Sequence, residues 1–156
     1  RSLTNKMGNG KPLRSSVRID IRSKVVAIYA LHGCGYGKYL KQFAAYKFFA
    51  GKRLVAEVPM VALGQPQMES DMVDVAQANI QDWWPDFPAC DFPHARMAPL
   101  TDEKHPEATG RHVSLYTLEW INPVPEKKIT HIEITSDPDQ STTLGVLGIT
   151  VLLADR

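Results

Sequence analysis

Cysteine is scarce in this 156-residue chain, with only Cys34 and Cys90, so no disulfide framework holds the fold. The two thiols are read either as one cross-link in an oxidising compartment or as two ordinary buried side chains. Charge of either sign is not in excess: 18 Lys and Arg stand against 17 Asp and Glu. A strong nucleic-acid footprint is therefore not expected. No apolar run reaches the length of a membrane span, and no secretory leader is recognisable. The chain opens at Arg1 rather than Met, which suits a piece of a longer protein. Internal repeats, low-complexity tracts and nucleophile-elbow motifs are absent as well. Ser114, Ser136 and Ser141 have no elbow around them, and Cys34 has only His32 as a local base.

What is present is alternation. Three runs, Arg111–Asn122, Lys128–Thr135 and Thr143–Ala154, alternate apolar with polar residues and are rich in Val, Ile, Leu, Thr and aromatics. Asn122-Pro123-Val124-Pro125 ends the first run, and Ser136-Asp137-Pro138-Asp139 ends the second. This is the pattern of antiparallel strands with one buried face. In the first run Tyr116, Leu118 and Trp120 share the face expected to be core.

Upstream, residues 1–16 read as a loose arm or entry loop, and 17–156 as a single domain large enough to bury its own core. Val17–Arg22 alternates cleanly. After Ser23-Lys24, Val25–Leu31 is nearly all apolar and suits a central strand covered on both faces. His32–Tyr39, with three glycines, reads as a loop or sheet corner. Leu40–Phe49 has helix-forming composition. A strand over Phe43–Phe49 is preferred, because Ala50-Gly51-Lys52 supplies a hairpin turn before a strand over Leu54–Val61. Ala44, Tyr46 and Phe48 then share one face, and Phe43, Ala45, Lys47 and Phe49 the other. Gly64–Ala78 reads as a short helix or protruding loop. Asn79–Trp84 reads as a short strand, on which adjacent Trp83 and Trp84 point to opposite faces. Pro85–Gly110 is a long irregular stretch, of the kind that is functional or disordered. The tally is about eight strands, at the spacing of a sandwich or jelly roll.

Several of these stretches together resemble a family. Val25–His32 with its Gly-rich loop, Tyr46–Lys52 (Tyr-Lys-Phe-Phe-Ala-Gly-Lys) and Asn79-Ile80-Gln81-Asp82-Trp83-Trp84 are similar to segments of bacterial extracytoplasmic β-sandwich domains. So are Leu115–Pro123, Ile129–Ser136 and Leu147–Leu152. The likeness runs from about Val17 to Leu153. It departs from the family where Phe49-Ala50-Gly51 lacks the usual Asp before Gly, and where Gly64–Ala78 looks inserted. The resemblance implies an all-β, antiparallel jelly-roll β-sandwich of galactose-binding-like type. It implies a secreted or periplasmic accessory module beside a glycoside hydrolase, a polysaccharide lyase or an anchoring module.

Site residues follow from ring placement. Flat aromatic rings stack on sugar faces, while carboxylates, amides and Arg bind hydroxyls. Tyr36, Tyr39, Trp84, Phe87 and Phe92 fall in or beside the two loops expected at the sandwich ends, although such rings more often serve packing. The expected carbohydrate contacts are Tyr36, Tyr39 and Trp84 for stacking, with Asp86, Asp91 and Arg96 for hydroxyls. The expected partners are a polysaccharide or oligosaccharide and a neighbouring domain of a parent chain. No catalytic role is expected, although the loop carboxylates (Asp82 with Asp86, Asp137 with Asp139) come in pairs. The competing readings are a structural spacer that docks onto its neighbour, and a metal-dependent enzyme using His32, Cys34, Cys90 and His94. No cofactor is expected beyond a structural calcium at Asp137 and Asp139, whose alternative role is the turn itself.

Overall fold

The computed structural model of the chain describes residues 2–3, 15–64, 75–83, 91–93, 95–99 and 114–154. They form an all-β antiparallel sheet: β1 (Ser2–Leu3), β2 (Ser16–Gly35), β3 (Tyr39–Ala50), β4 (Arg53–Leu63), β5 (Ala95–Pro99), β6 (Ser114–Ile121), β7 (Lys128–Ser136) and β8 (Thr143–Leu153). One short 3-10 turn lies at Val75–Gln77.

β2 organises the sheet. Its first half pairs with β7, and its second half lies between β8 and β6. A back half therefore runs β2-β7-β3-β4, and a front half runs β1-β8-β2-β6-β5. The sequence separates β2 into two strands at Ser23-Lys24, whereas the chain runs straight through. The physical reason is a pair of irregularities, between Asp20 and Ser23 against β7 and between Val25 and Ala27 against β8. They turn the strand and change which residues face inward. Val17, Ile19 and Ile21 pack inward before them; Ile28, Ala30, His32 and Cys34 do so after them. Bulges serve this purpose, bending one strand so that it can belong to two differently directed pieces of sheet. Arg22, within the first irregularity, has a left-handed backbone (φ 58°).

The two halves curl over one core. Ile28, Ala30, Leu118 and Trp120 from the front meet Tyr46, Phe48, Met60, Ile132 and Ile134 from the back. Phe48 and Trp120 stack with ring centroids 3.8 Å apart, a contact stronger than its buried area alone suggests. Ala44, Tyr46 and Phe48 share the core face of β3 as the alternation requires. Phe43 joins them because a register irregularity between Gln42 and Ala44 rotates it inward. The β3–β4 hairpin turns at Gly51-Lys52 with Gly51 at φ 64°, where glycine carries no steric cost.

Residues 79–83 join the two halves at the far edge. Ile80 bridges Ala62 of β4, and Asp82 bridges Cys34 of β2, both parallel. Leu63 N donates to Ile80 O at 2.7 Å, and Trp83 N donates to Cys34 O at 2.7 Å. The stretch expected as a strand is thus a stitch made of two isolated bridges. It covers an edge of β4 that would otherwise expose unpaired backbone groups.

Candidate functional site

The stitch and the end of β2 build an exposed aromatic corner. Gly33 and Gly35 alternate on one face of β2 and leave a ledge without side chains. Trp83 lies over it: a Cβ at Gly35 would come within 3.0 Å of Trp83 Nε1 and 3.3 Å of its Cδ1. Trp83 is nevertheless 43% exposed, and neighbouring Tyr36 is 79% exposed. Large rings this open on a fixed backbone are unusual, because burial is their main use.

The backbone beneath them is pinned from three sides. Asp82 Oδ2 accepts from Gly37 N at 2.9 Å, Thr142 Oγ1 donates to Tyr36 O at 3.0 Å, and Trp83 N holds Cys34 O. Gly64 packs so tightly against Gly37, Lys38 and Tyr39 that any Cβ there would run into their backbone. Tyr36 (φ 57°) and Leu40 (φ 45°) both take left-handed conformations. Such conformations cost roughly 1 kcal/mol or more for residues with a Cβ. They persist where surrounding contacts fix the chain, and here they aim the Tyr36 ring into solvent.

The expected contact residues are distributed unevenly about this corner. Tyr36 stands in it. Tyr39 begins β3, half-buried, opposite Leu63. Arg96 is exposed on β5 opposite Thr117, which in turn faces Leu31, so about 10 Å of sheet separates its backbone from β2. Asp91 is exposed and accepts from Met97 N at 2.8 Å. Trp84 and Asp86 lie outside the described residues, as does Phe87, whereas Phe92 is buried against Tyr116. Trp83 and Asp82 are not among the contacts expected from the sequence. The paired glycines at 33 and 35 are the signal the sequence carries, since glycines alternating within a strand mark a close approach from outside.

His32 and Cys34 point into the core. His32 Nδ1 pairs with the Tyr46 hydroxyl at 2.9 Å, and His32 Nε2 has no partner among the described residues. Burial lowers the His32 pKa to about 4 and raises that of Tyr46 above the ordinary phenol range. The Cys34 thiol is free and donates to Gln81 O at 3.2 Å. Burial, then the nearby Asp82 charge, pushes its pKa well up, which disfavours the thiolate that nucleophilic attack or metal binding needs. No group of three His, Cys, Asp or Glu side chains able to hold a metal occurs among the described residues. Cys90 and His94 lie outside them. At the other loop, Asp137 accepts from Asp139 N at 2.9 Å and from Gln140 Nε2 at 2.8 Å. Those bonds, Gln140 first, lower its pKa and tie both carboxylate oxygens into the turn.

Chemically the corner offers two exposed aromatic side chains with adjacent polar backbone, and the buried thiol and imidazole lie out of reach of a surface ligand. The chain matches no protein-family model, no curated protein and no solved structure.

Proposed function

We propose that this chain is a non-catalytic carbohydrate-binding module of jelly-roll, galactose-binding-like type, an accessory to a larger secreted or periplasmic polysaccharide-active protein. The observation that carries the reading is the pair of exposed rings, Tyr36 and Trp83, at one rigid sheet end. Sugar rings present axial C–H faces that stack on such surfaces, and surrounding amides and charged groups engage their hydroxyls. Tyr39 flanks the platform from the start of β3. Trp84, Asp86, Asp91 and Arg96 complete the proposed set of contacts.

Calorimetric titration against a panel of soluble plant and bacterial polysaccharides tests it. Wild type binds at least one of them, and Trp83→Ala weakens that binding about tenfold or more, the scale of losing a stacked aromatic anchor. Equal affinities in wild type and variant would remove Trp83 from the site.

A second reading, a spacer docked on a neighbouring domain, is favoured by the outer surface of the front half. Ile121, Ala27 and Leu152 form one cross-strand row there; Ile121 is 66% exposed and Leu152 49%. Apolar patches of this kind mark contact surfaces. That reading predicts no binding to any polysaccharide, together with self-association in sedimentation runs that Leu152→Lys abolishes.

A further inference from the structure

We infer that this chain pairs with a second copy of itself, edge to edge along β8, in a two-fold dimer that joins the two front halves into one sheet. Neither ring of the aromatic corner takes part, so the pairing stands or falls independently of the carbohydrate reading.

The other open margins of the described sheet are blunted. β4 carries Arg53, Glu57 and Pro59, and its end is sealed by the 79–83 stitch. The first half of β2 carries Arg18, Asp20, Arg22 and Lys24. β5 is only five residues long and holds Arg96 and Pro99. β8 differs, because Thr143–Leu153 contains no charged residue and no proline. β1 covers it at Leu144 and Gly145, and among the described residues no strand pairs with 147–153 on that side. A long apolar edge without charge, proline or cover is a template for another strand.

The direction of the backbone groups along this margin follows from the register. Asn122 N donates to Val26 O, so Val26 and Ile28 bond toward β6. Ala27, Tyr29 and Leu31 then turn toward β8, where their partners are Leu152, Thr150 and Gly148. Ala154 N, which donates to Lys24 O, fits the same alternation. Ile149, Val151 and Leu153 therefore direct N–H and C=O away from the sheet. The Ile149 and Val151 side chains pack against the core but are only partly covered, whereas Thr150 and Leu152 are exposed.

The occupant is a strand, since a strand supplies the matching row of donors and acceptors. Its identity as a second copy comes from self-complementarity. A two-fold axis at Thr150 sets Ile149 opposite Val151 of the second copy, and Val151 opposite Ile149 of the second copy. Outward groups thus meet outward groups in both strands. Thr150 faces its own counterpart in the closer, non-hydrogen-bonded kind of pair. Leu152 falls opposite Gly148 of the second copy, where nothing lies within 4 Å of the place a Cβ would take. The leucine fills the space that the glycine leaves. No like charges meet along the strand, and a net charge of +1 sets up little repulsion between copies. The paired stretch spans roughly 24 Å at about 3.4 Å per residue. A strip one strand deep and that long buries less than the about 1,600 Å² of a standard interface, so the dimer dissociates on dilution.

Sedimentation velocity of the chain over a wide concentration range, with hydrogen exchange read by NMR at both ends of it, tests the pairing. Wild type moves from one chain to two as concentration rises and goes no further. The Ile149 and Val151 amides exchange fast when dilute and slow down in the dimer. Thr150→Lys and Thr150→Glu, each at an exposed position, both stay monomeric, because like charges then face each other across the axis. Mixing the two variants restores a dimer, now with opposite charges paired. A thermal melt confirms that each variant is folded. A wild type that is monomeric throughout overturns the pairing, as does a dimer that both charged variants retain or a mixture that fails to associate. Ile149 and Val151 amides that exchange equally fast in monomer and dimer also overturn it, and point to association through the outer row of Ile121 and Leu152. Amides already slow in the dilute monomer overturn it in favour of a cover supplied by the chain itself.

Discussion

His32 is a residue whose chemistry departs far from its ordinary state. Buried beside Tyr46, with no partner for one ring nitrogen among the described residues, it stays neutral down to about pH 4 in the folded chain, whereas an unfolded histidine titrates near 6.5. The unfolded state therefore binds the proton more tightly, and the stability contributed above pH 6.5 is lost as pH falls toward 4. Between pH 7.5 and 4.5 this group accounts for a loss of about 2–3 kcal/mol. Urea denaturation of wild type and His32→Gln at both pH values checks it. The variant shows a pH dependence flatter by that amount, and parallel curves contradict the assignment. Gly35 offers a second test. A methyl group there meets the Trp83 indole at 3.0 Å, and a half-exposed ring moves more easily than backbone. Gly35→Ala thus costs stability only about 1 kcal/mol but tilts the platform. Glycan affinity falls while the melting transition remains cooperative, a split that calorimetry and a thermal melt read together.

Among elements, the 79–83 stitch matters most to the site, because it seals the β4 edge and delivers Trp83. Asn79 anchors it: its Oδ1 accepts from Val61 N at 2.9 Å, and its Nδ2 donates to Pro59 O at 2.6 Å. Asn79→Ala leaves both backbone groups without these partners and costs about 1–3 kcal/mol. Hydrogen exchange locates the damage: the Val61 and Leu63 amides lose protection while β6 and β7 keep theirs. Uniform loss across all strands would show that the stitch is no separate element. The sequence is legible where period-two alternation is unbroken. Residues 114–121, 128–136 and 143–153 are strands within about three residues of their expected bounds. It is less legible where geometry is set by distant partners. The inward parity of β2 changes at irregularities that depend on β7 and β8, and the stitch pairs through isolated bridges that carry no alternation of their own. Trp83 is hard to read for the same reason, since its orientation follows from glycines about fifty residues upstream.

At the scale of the whole molecule, one bent strand and one short stitch close a curled sheet over a core that includes Tyr46, Phe48, Tyr116 and Trp120. The same closure leaves two other aromatic rings outside, at a corner whose backbone is pinned by Asp82, Thr142 and the tight packing of Gly64. A surface made rigid before the ligand arrives loses little conformational entropy on binding, which gives a shallow sugar site useful affinity. The proposal therefore depends on Trp83 serving as a contact surface, in contrast to Trp120, which serves as core. The indole N–H region of a heteronuclear NMR spectrum separates these roles, with each tryptophan signal assigned by a Trp→Phe variant. On addition of a polysaccharide that the protein binds, the Trp83 signal shifts and the Trp120 signal stays in place. A Trp83 signal that remains unmoved at saturating glycan would contradict the account.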